Sequence, residues 1–141
     1  MVVGDSGLIL TSPDGVAWTD ESFPSYWGSL HKVRWDGQND LLIAVGSAIL
    51  TSPDGAVWTG RTPVGPPILR DLTWTSLNVA GTTHTLYCVV GDDGSVLTSA
   101  DAVTWETHAA GVATDLCGIA RGLVPTRFVA VGEGGVILTS E

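Results

Sequence analysis

Val3-Gly4-Asp5-Ser6-Gly7-Leu8-Ile9-Leu10-Thr11-Ser12 runs directly into Pro13-Asp14-Gly15-Val16-Ala17-Trp18-Thr19, and both halves of this stretch return along the chain. The first half recurs as Val45-Gly46-Ser47-Ala48-Ile49-Leu50-Thr51-Ser52, as VGDDGSVLTS at 90–99 and as VGEGGVILTS at 131–140. The second half, here called the box, recurs as SPDGAVWT at 52–59 and SADAVTWE at 99–106. The serine joining the halves stands at 12, 52, 99 and 140, so the periods are 40, 47 and 41 residues. Self-similarity at such a period marks a repeat architecture in which each copy is one supersecondary unit.

The segments within a copy are short. HKVRW, LLIAVG, AILTS and VWTG are rich in β-branched or aromatic residues and bounded by Gly, Pro, Asp or Asn, which reads as strands. No segment carries apolar residues at helical spacing over three turns. Four short strands per period predict an all-β chain, a β-propeller of four-stranded blades of about 40 residues. A parallel solenoid needs shorter coils, and leucine-rich repeats need a different Leu and Asn pattern. The chain is read as one domain, 1–141, with repeats at approximately 1–29, 30–68, 69–114 and 115–141.

Strands are labelled A to D outward from the propeller axis. A is HKVRW, LRDLTW or DLCGIA; B is LLIAVG, LYCVVG or RFVAVG; C is the ILTS run; D carries the Trp. Glycine in the B–C turns (Asp5-Ser6-Gly7, Asp92-Asp93-Gly94, Glu133-Gly134-Gly135) permits the positive φ that tight hairpins need. The chain then supplies B–C–D, two full A–B–C–D sets and A–B–C, which is two complete and two partial blades. An open propeller exposes strand edges and invites association. Three closures follow: a small ring closed alone, completion by oligomerisation with strands exchanged between copies, or a segment of a longer protein. Homo-oligomeric completion is the favoured expectation.

S-x-D-G-x-x-W between strands C and D resembles the Asp-box (BNR) repeat of sialidase-type propellers, and the VxVGxxGxILTS element is similar to repeats of photosystem II assembly-factor-like propellers. The resemblance covers nearly the whole chain. Two departures stand out: the spacing is one residue shorter than the usual S-x-D-x-G-x-x-W, and Ala102 replaces Gly15 and Gly55. The resemblance implies a structural box lying away from the ligand face. The chemistry agrees, since an Asp in a tight turn accepts hydrogen bonds from nearby backbone N–H groups. Asp14, Asp54 and Asp101 are therefore expected to close the C–D hairpin, and Trp18, Trp58 and Trp105 to pack between adjacent blades.

The composition excludes several roles. The 141 residues are 44% hydrophobic, which disfavours disorder, and only 15% charged. Fifteen acidic against six basic residues give a net charge of −9, and Lys32 is the sole lysine. Nucleic-acid binding and docking on an anionic membrane are thus disfavoured. No apolar window is long enough to span a bilayer, and no signal peptide is visible. Cys88 and Cys117 both sit in apolar runs and read as two buried thiols.

Candidate sites are sparse. The first D–A connection holds Asp20, Glu21, Phe23, Tyr26 and Trp27. Aromatic rings beside carboxylates form sugar platforms, and also cover interfaces. Lys32, Arg34, Arg70, Asp71 and Asp115 lie on or beside A strands, where some would line a central channel. A sialidase needs an arginine cluster and a tyrosine nucleophile. Arg34, Arg61, Arg70, Arg121 and Arg127 are scattered, Tyr26 and Tyr87 are the only tyrosines, and no Arg-Ile-Pro motif appears. Asp20, Glu21, Glu106 and Glu133 could be paired as glycosidase carboxylates, but no spacing singles any out. His31, His84 and His108 lack metal-ligand spacing, and no G-x-S-x-G elbow or phosphate loop is present. No catalytic residue, metal or cofactor is therefore expected. The function expected is a non-catalytic interaction or structural module within a larger particle, such as a virion or surface complex. A lectin-like glycan binder is the alternative, and a glycosidase-related fragment a distant third.

Overall fold

Each ILTS run becomes a strand that pairs antiparallel with the Val-Gly strand before it. The computed structural model describes residues 1–22, 28–61, 67–123 and 126–140. Over those residues the regular structure is β-strand with three short 3-10 turns, arranged as four antiparallel sheets. The chain divides into two compact units, Met1–Pro66 and Pro67–Glu141.

The first unit holds β1 (Val2–Val3), β2 (Ile9–Thr11) and β3 (Thr19–Asp20) in one sheet, in that order. It also holds β4 (Leu30–Asp36), β5 (Leu41–Gly46), β6 (Ile49–Ser52) and β7 (Thr59–Gly60), again in chain order. The second unit holds β8 (Leu69–Val79), β9 (Thr82–Gly91), β10 (Ser95–Ser99) and β11 (Glu106–Ala109) in one sheet, and β12 (Leu116–Leu123), β13 (Thr126–Gly132) and β14 (Ile137–Thr139) in another. The strand counts of three, four, four and three are those expected from the sequence.

Three local features depart from the sequence reading. The box tryptophans precede the outermost strands rather than lying in them, because the box turn occupies the residues up to the Trp. The β8–β9 hairpin has strands of 11 and 10 residues, well beyond the expected LRDLTW and LYCVVG. Thr, Val and Leu continue both strands, and Ala80 (φ +52°) and Gly81 (φ +85°) turn between Val79 and Thr82 in two residues, the left-handed pair that a tight hairpin uses. This extension accounts for the long middle period. Finally, β4, β8 and β12 each carry a register shift at their second residue, at His31, Arg70 and Cys117. A bulge re-aims side chains locally. Cys117 is accordingly exposed, correcting the expectation of two buried thiols, while Cys88 is buried; both are free.

The glycine of the Val-Gly step has a packing cause. A Cβ on Gly46 would lie 2.0 Å from the Ser29 carbonyl oxygen, on Gly91 2.2 Å from that of Ile68, and on Gly132 2.3 Å from that of Asp115. Those carbonyls accept the next backbone N–H, from Ser47, Asp92 and Glu133, at 2.8–3.0 Å. The incoming chain is thus laid directly over the glycine.

Each unit has its own core. In the first, Ile9, Leu30, Ala44, Ala48, Leu50 and Trp58 form one buried cluster, with Val3, Val33 and Leu42 against it. In the second, Cys88, Val90, Leu116, Ile119 and Ala130 are buried, with Val96, Phe128, Val136 and Leu138 among the partly buried residues packed on them. Among the described residues no helix is long and apolar enough to cross a membrane.

Candidate functional site

The three boxes share one hydrogen-bonded turn. Ser12 Oγ accepts the Asp14 and Gly15 N–H groups at 3.3 and 2.7 Å and donates to Asp14 Oδ1 at 3.0 Å. Asp14 Oδ1 in turn accepts the Val16 and Ala17 N–H groups at 2.8 and 3.0 Å. Ser52 and Asp54 repeat every one of these bonds, with Ala56 and Val57 donating at 2.9 Å. Asp101 accepts from Val103 and Thr104 at 2.8 Å. The backbone N–H groups hold all three carboxyls below the usual carboxylate range. Through Oδ1 each of these aspartates closes its own turn.

The tryptophans differ. Trp18 and Trp58 donate Nε1–H to the Gly15 and Gly55 carbonyls at 3.2 and 3.0 Å. Trp105 is buried, yet its Nε1–H has no hydrogen-bond partner among the described residues. Ala102 keeps the left-handed conformation of the glycines it replaces, at φ +57°. Trp58 is 5% and Trp105 8% exposed, but Trp18 is 43% exposed. The expected burial of Trp18 is therefore corrected: Trp58 packs with Ile9 of the first sheet, whereas Trp18 stays partly exposed.

The first D–A connection is only partly described. Phe23, Tyr26 and Trp27 lie outside the described residues. Asp20, at the end of β3, accepts both the N–H and the Oγ–H of Ser22, which lowers its pKa. Ser22 Oγ then accepts the Ile9 N–H at 3.2 Å. Asp20 is thereby engaged in tying the chain back to β2. Glu21 is half-buried and donates its N–H to the Ile9 carbonyl.

Of the five charges read as channel candidates, Lys32 and Arg34 lie on β4 of the first unit, while Arg70, Asp71 and Asp115 serve as ties within the second. Arg70 forms a two-point ion pair with Asp92, at 2.5 and 3.0 Å. Asp71 is buried; it accepts the Leu72 N–H at 2.9 Å and the Ile119 N–H at 3.1 Å, linking β8 to β12. Asp115 accepts the Asp93 N–H at 3.0 Å. Glu106 is an exposed residue of β11, and Glu133 opens the 3-10 turn before β14. Among the described residues no three His, Cys, Asp or Glu side chains come together as a metal site.

The second unit also contains a groove of about 620 Å³, which the sequence reading missed. Cys88, Val90 and Val96 of β9 and β10 line it together with Ile119, Phe128, Ala130 and Leu138 of β12, β13 and β14. The extended β8–β9 hairpin adds Leu77 and Leu86 to the lining. An apolar groove beside a free strand edge accepts an extended polypeptide more readily than a small polar substrate. Comparison with models of protein families, with curated proteins and with solved structures yields no match.

Proposed function

We propose that the chain is a non-catalytic β-propeller module of the Asp-box type whose task is assembly. Copies complete one another's sheets within a larger particle, such as a virion or surface complex. One observation carries the reading. Among the described residues the first and fourth sheets hold three strands where the other two hold four, the first showing no counterpart of β4 and β8 and the fourth none of β7 and β11. Unpaired edges of this kind are managed in stable proteins by covering or pairing them. The repeated carboxylates support the non-catalytic part, since one oxygen of each accepts two backbone N–H groups of its own turn. Size-exclusion chromatography with light scattering tests the proposal. A multiple of the 14.6 kDa chain mass is expected at tens of micromolar; a folded monomer at every concentration overturns it.

A further inference from the structure

The β8–β9 hairpin outruns its counterparts. β8 has 11 residues where β4 and β12 have 7 and 8, and β9 has 10 where β5 and β13 have 6 and 7. Among the described residues β10 joins β9 only from Tyr87 to Val90, and no strand pairs with β8 on the side away from β9. The outer part of the hairpin is therefore a ribbon of two strands, which is marginally stable in water until a third strand joins it. Its turn fixes where the backbone groups point. Val79 faces Thr82 across the left-handed pair Ala80-Gly81, so Val79 with Thr82 and Leu77 with His84 are the pairs that bond within the ribbon. The N–H and C=O groups of Ser76 and Asn78 then point outward, along the edge of β8.

This edge carries none of the guards that keep exposed strands apart. From Leu72 to Gly91 the chain has no Asp, Glu, Lys, Arg or Pro, and β8 has no bulge beyond Arg70. We propose that Ser76–Val79 pairs antiparallel with the same stretch of a second copy, about a two-fold axis at Leu77. The side-chain pattern is symmetric about that residue. Ser76 and Asn78, both polar, flank it on one face of the ribbon, while Thr75 and Val79, both β-branched, share its own face. Ser76 thus meets the partner's Asn78, Leu77 meets the partner's Leu77, and Val79 meets the partner's Thr75. Leu77 and Val79, 51% and 57% exposed, gain apolar or β-branched neighbours. Charge also selects a second copy. Two chains of net charge −9 repel, and this uncharged ribbon lets their backbones meet with no like charges opposed. The contact goes beyond completion of the three-stranded sheets, since β8 belongs to a four-stranded one.

The test is cross-linking in a Cys117→Ser background, which removes the exposed native thiol. Opposed Leu77 residues form a non-hydrogen-bonded pair with Cα atoms about 4.5 Å apart, within disulfide reach. Leu77→Cys should give a disulfide-linked dimer of the 14.6 kDa chain on mild oxidation, while Val79→Cys, which faces the partner's Thr75, should not. Asn78→Pro removes an outward N–H and spares the bonds to β9, so self-association should weaken roughly tenfold or more. Leu77→Lys opposes two cations at an exposed site and should do the same with the backbone untouched. Cross-linking no better at Leu77 than at Val79, or wild-type association in both Asn78→Pro and Leu77→Lys, overturns this contact and leaves the assembly reading standing. A monomeric wild-type chain at every concentration overturns both.

Discussion

A methyl group added at Gly46 would overlap the Ser29 carbonyl, whereas one added at Gly60 would meet nothing within 4 Å. Gly46→Ala is therefore expected to destabilise the chain by about 3 kcal/mol, and Gly60→Ala by less than about 0.5 kcal/mol, as read from urea midpoints. Equal losses would show that backbone freedom, not the close approach, matters. The box carboxyls give a pH signature. Their folded pKa values lie below the ordinary 3.8, so their contribution is complete above that value and is lost as pH falls through the lower folded values. Asp54→Asn keeps an oxygen that can accept the Ala56 and Val57 N–H groups but cannot titrate. Its melting temperature should therefore fall less steeply than that of the wild type below pH 4. The cysteines differ as well. Burial pushes the Cys88 thiol up to about 11, while Cys117 is exposed on its bulge. Iodoacetamide at pH 8 should label Cys117 alone in the folded chain, with Cys88 reacting only in denaturant; peptide mapping would show it.

Strand pairs and sheets have their own dependencies. Trp58 sits in the cluster with Ile9, Leu30 and Leu50, so Trp58→Ala should cost about 3–5 kcal/mol. Asp71→Ala leaves the N–H groups of Leu72 and Ile119 without that carboxylate, with an expected loss of about 2 kcal/mol and faster hydrogen exchange at Ile119. Exchange at Ile119 unchanged from wild type would refute the tie between β8 and β12. At this scale the sequence was informative where the physics is local. Gly, Asp and Ser at turn positions announced the sheet count and the box hydrogen bonds, because those bonds form within a few residues. The bulges at His31, Arg70 and Cys117 left no such trace, since alternation resumes after one residue. The long β8–β9 hairpin was partly visible in its Thr and Val content; Ala80-Gly81 is a two-residue turn lacking the Asn or Asp that usually signals one. The exposure of Trp18 was hidden for another reason. A box reads the same whether or not a neighbouring sheet covers its tryptophan.

For the molecule as a whole, the proposal of assembly turns on the two three-stranded sheets, β1–β3 in the first unit and β12–β14 in the second. The first unit displays Trp18, and in the second β12–β14 border an apolar groove. Under that proposal, unlike surfaces of this kind would impose a polarity on association. A pair that donates reciprocally uses up both ends of both partners and stops at two. Without reciprocity, every added subunit regenerates one free donor and one free acceptor, so growth halts only when the row curls back on itself. Below that closure the length distribution would follow concentration as in step-growth polymerisation, and a soluble copy of one end would act as a chain terminator.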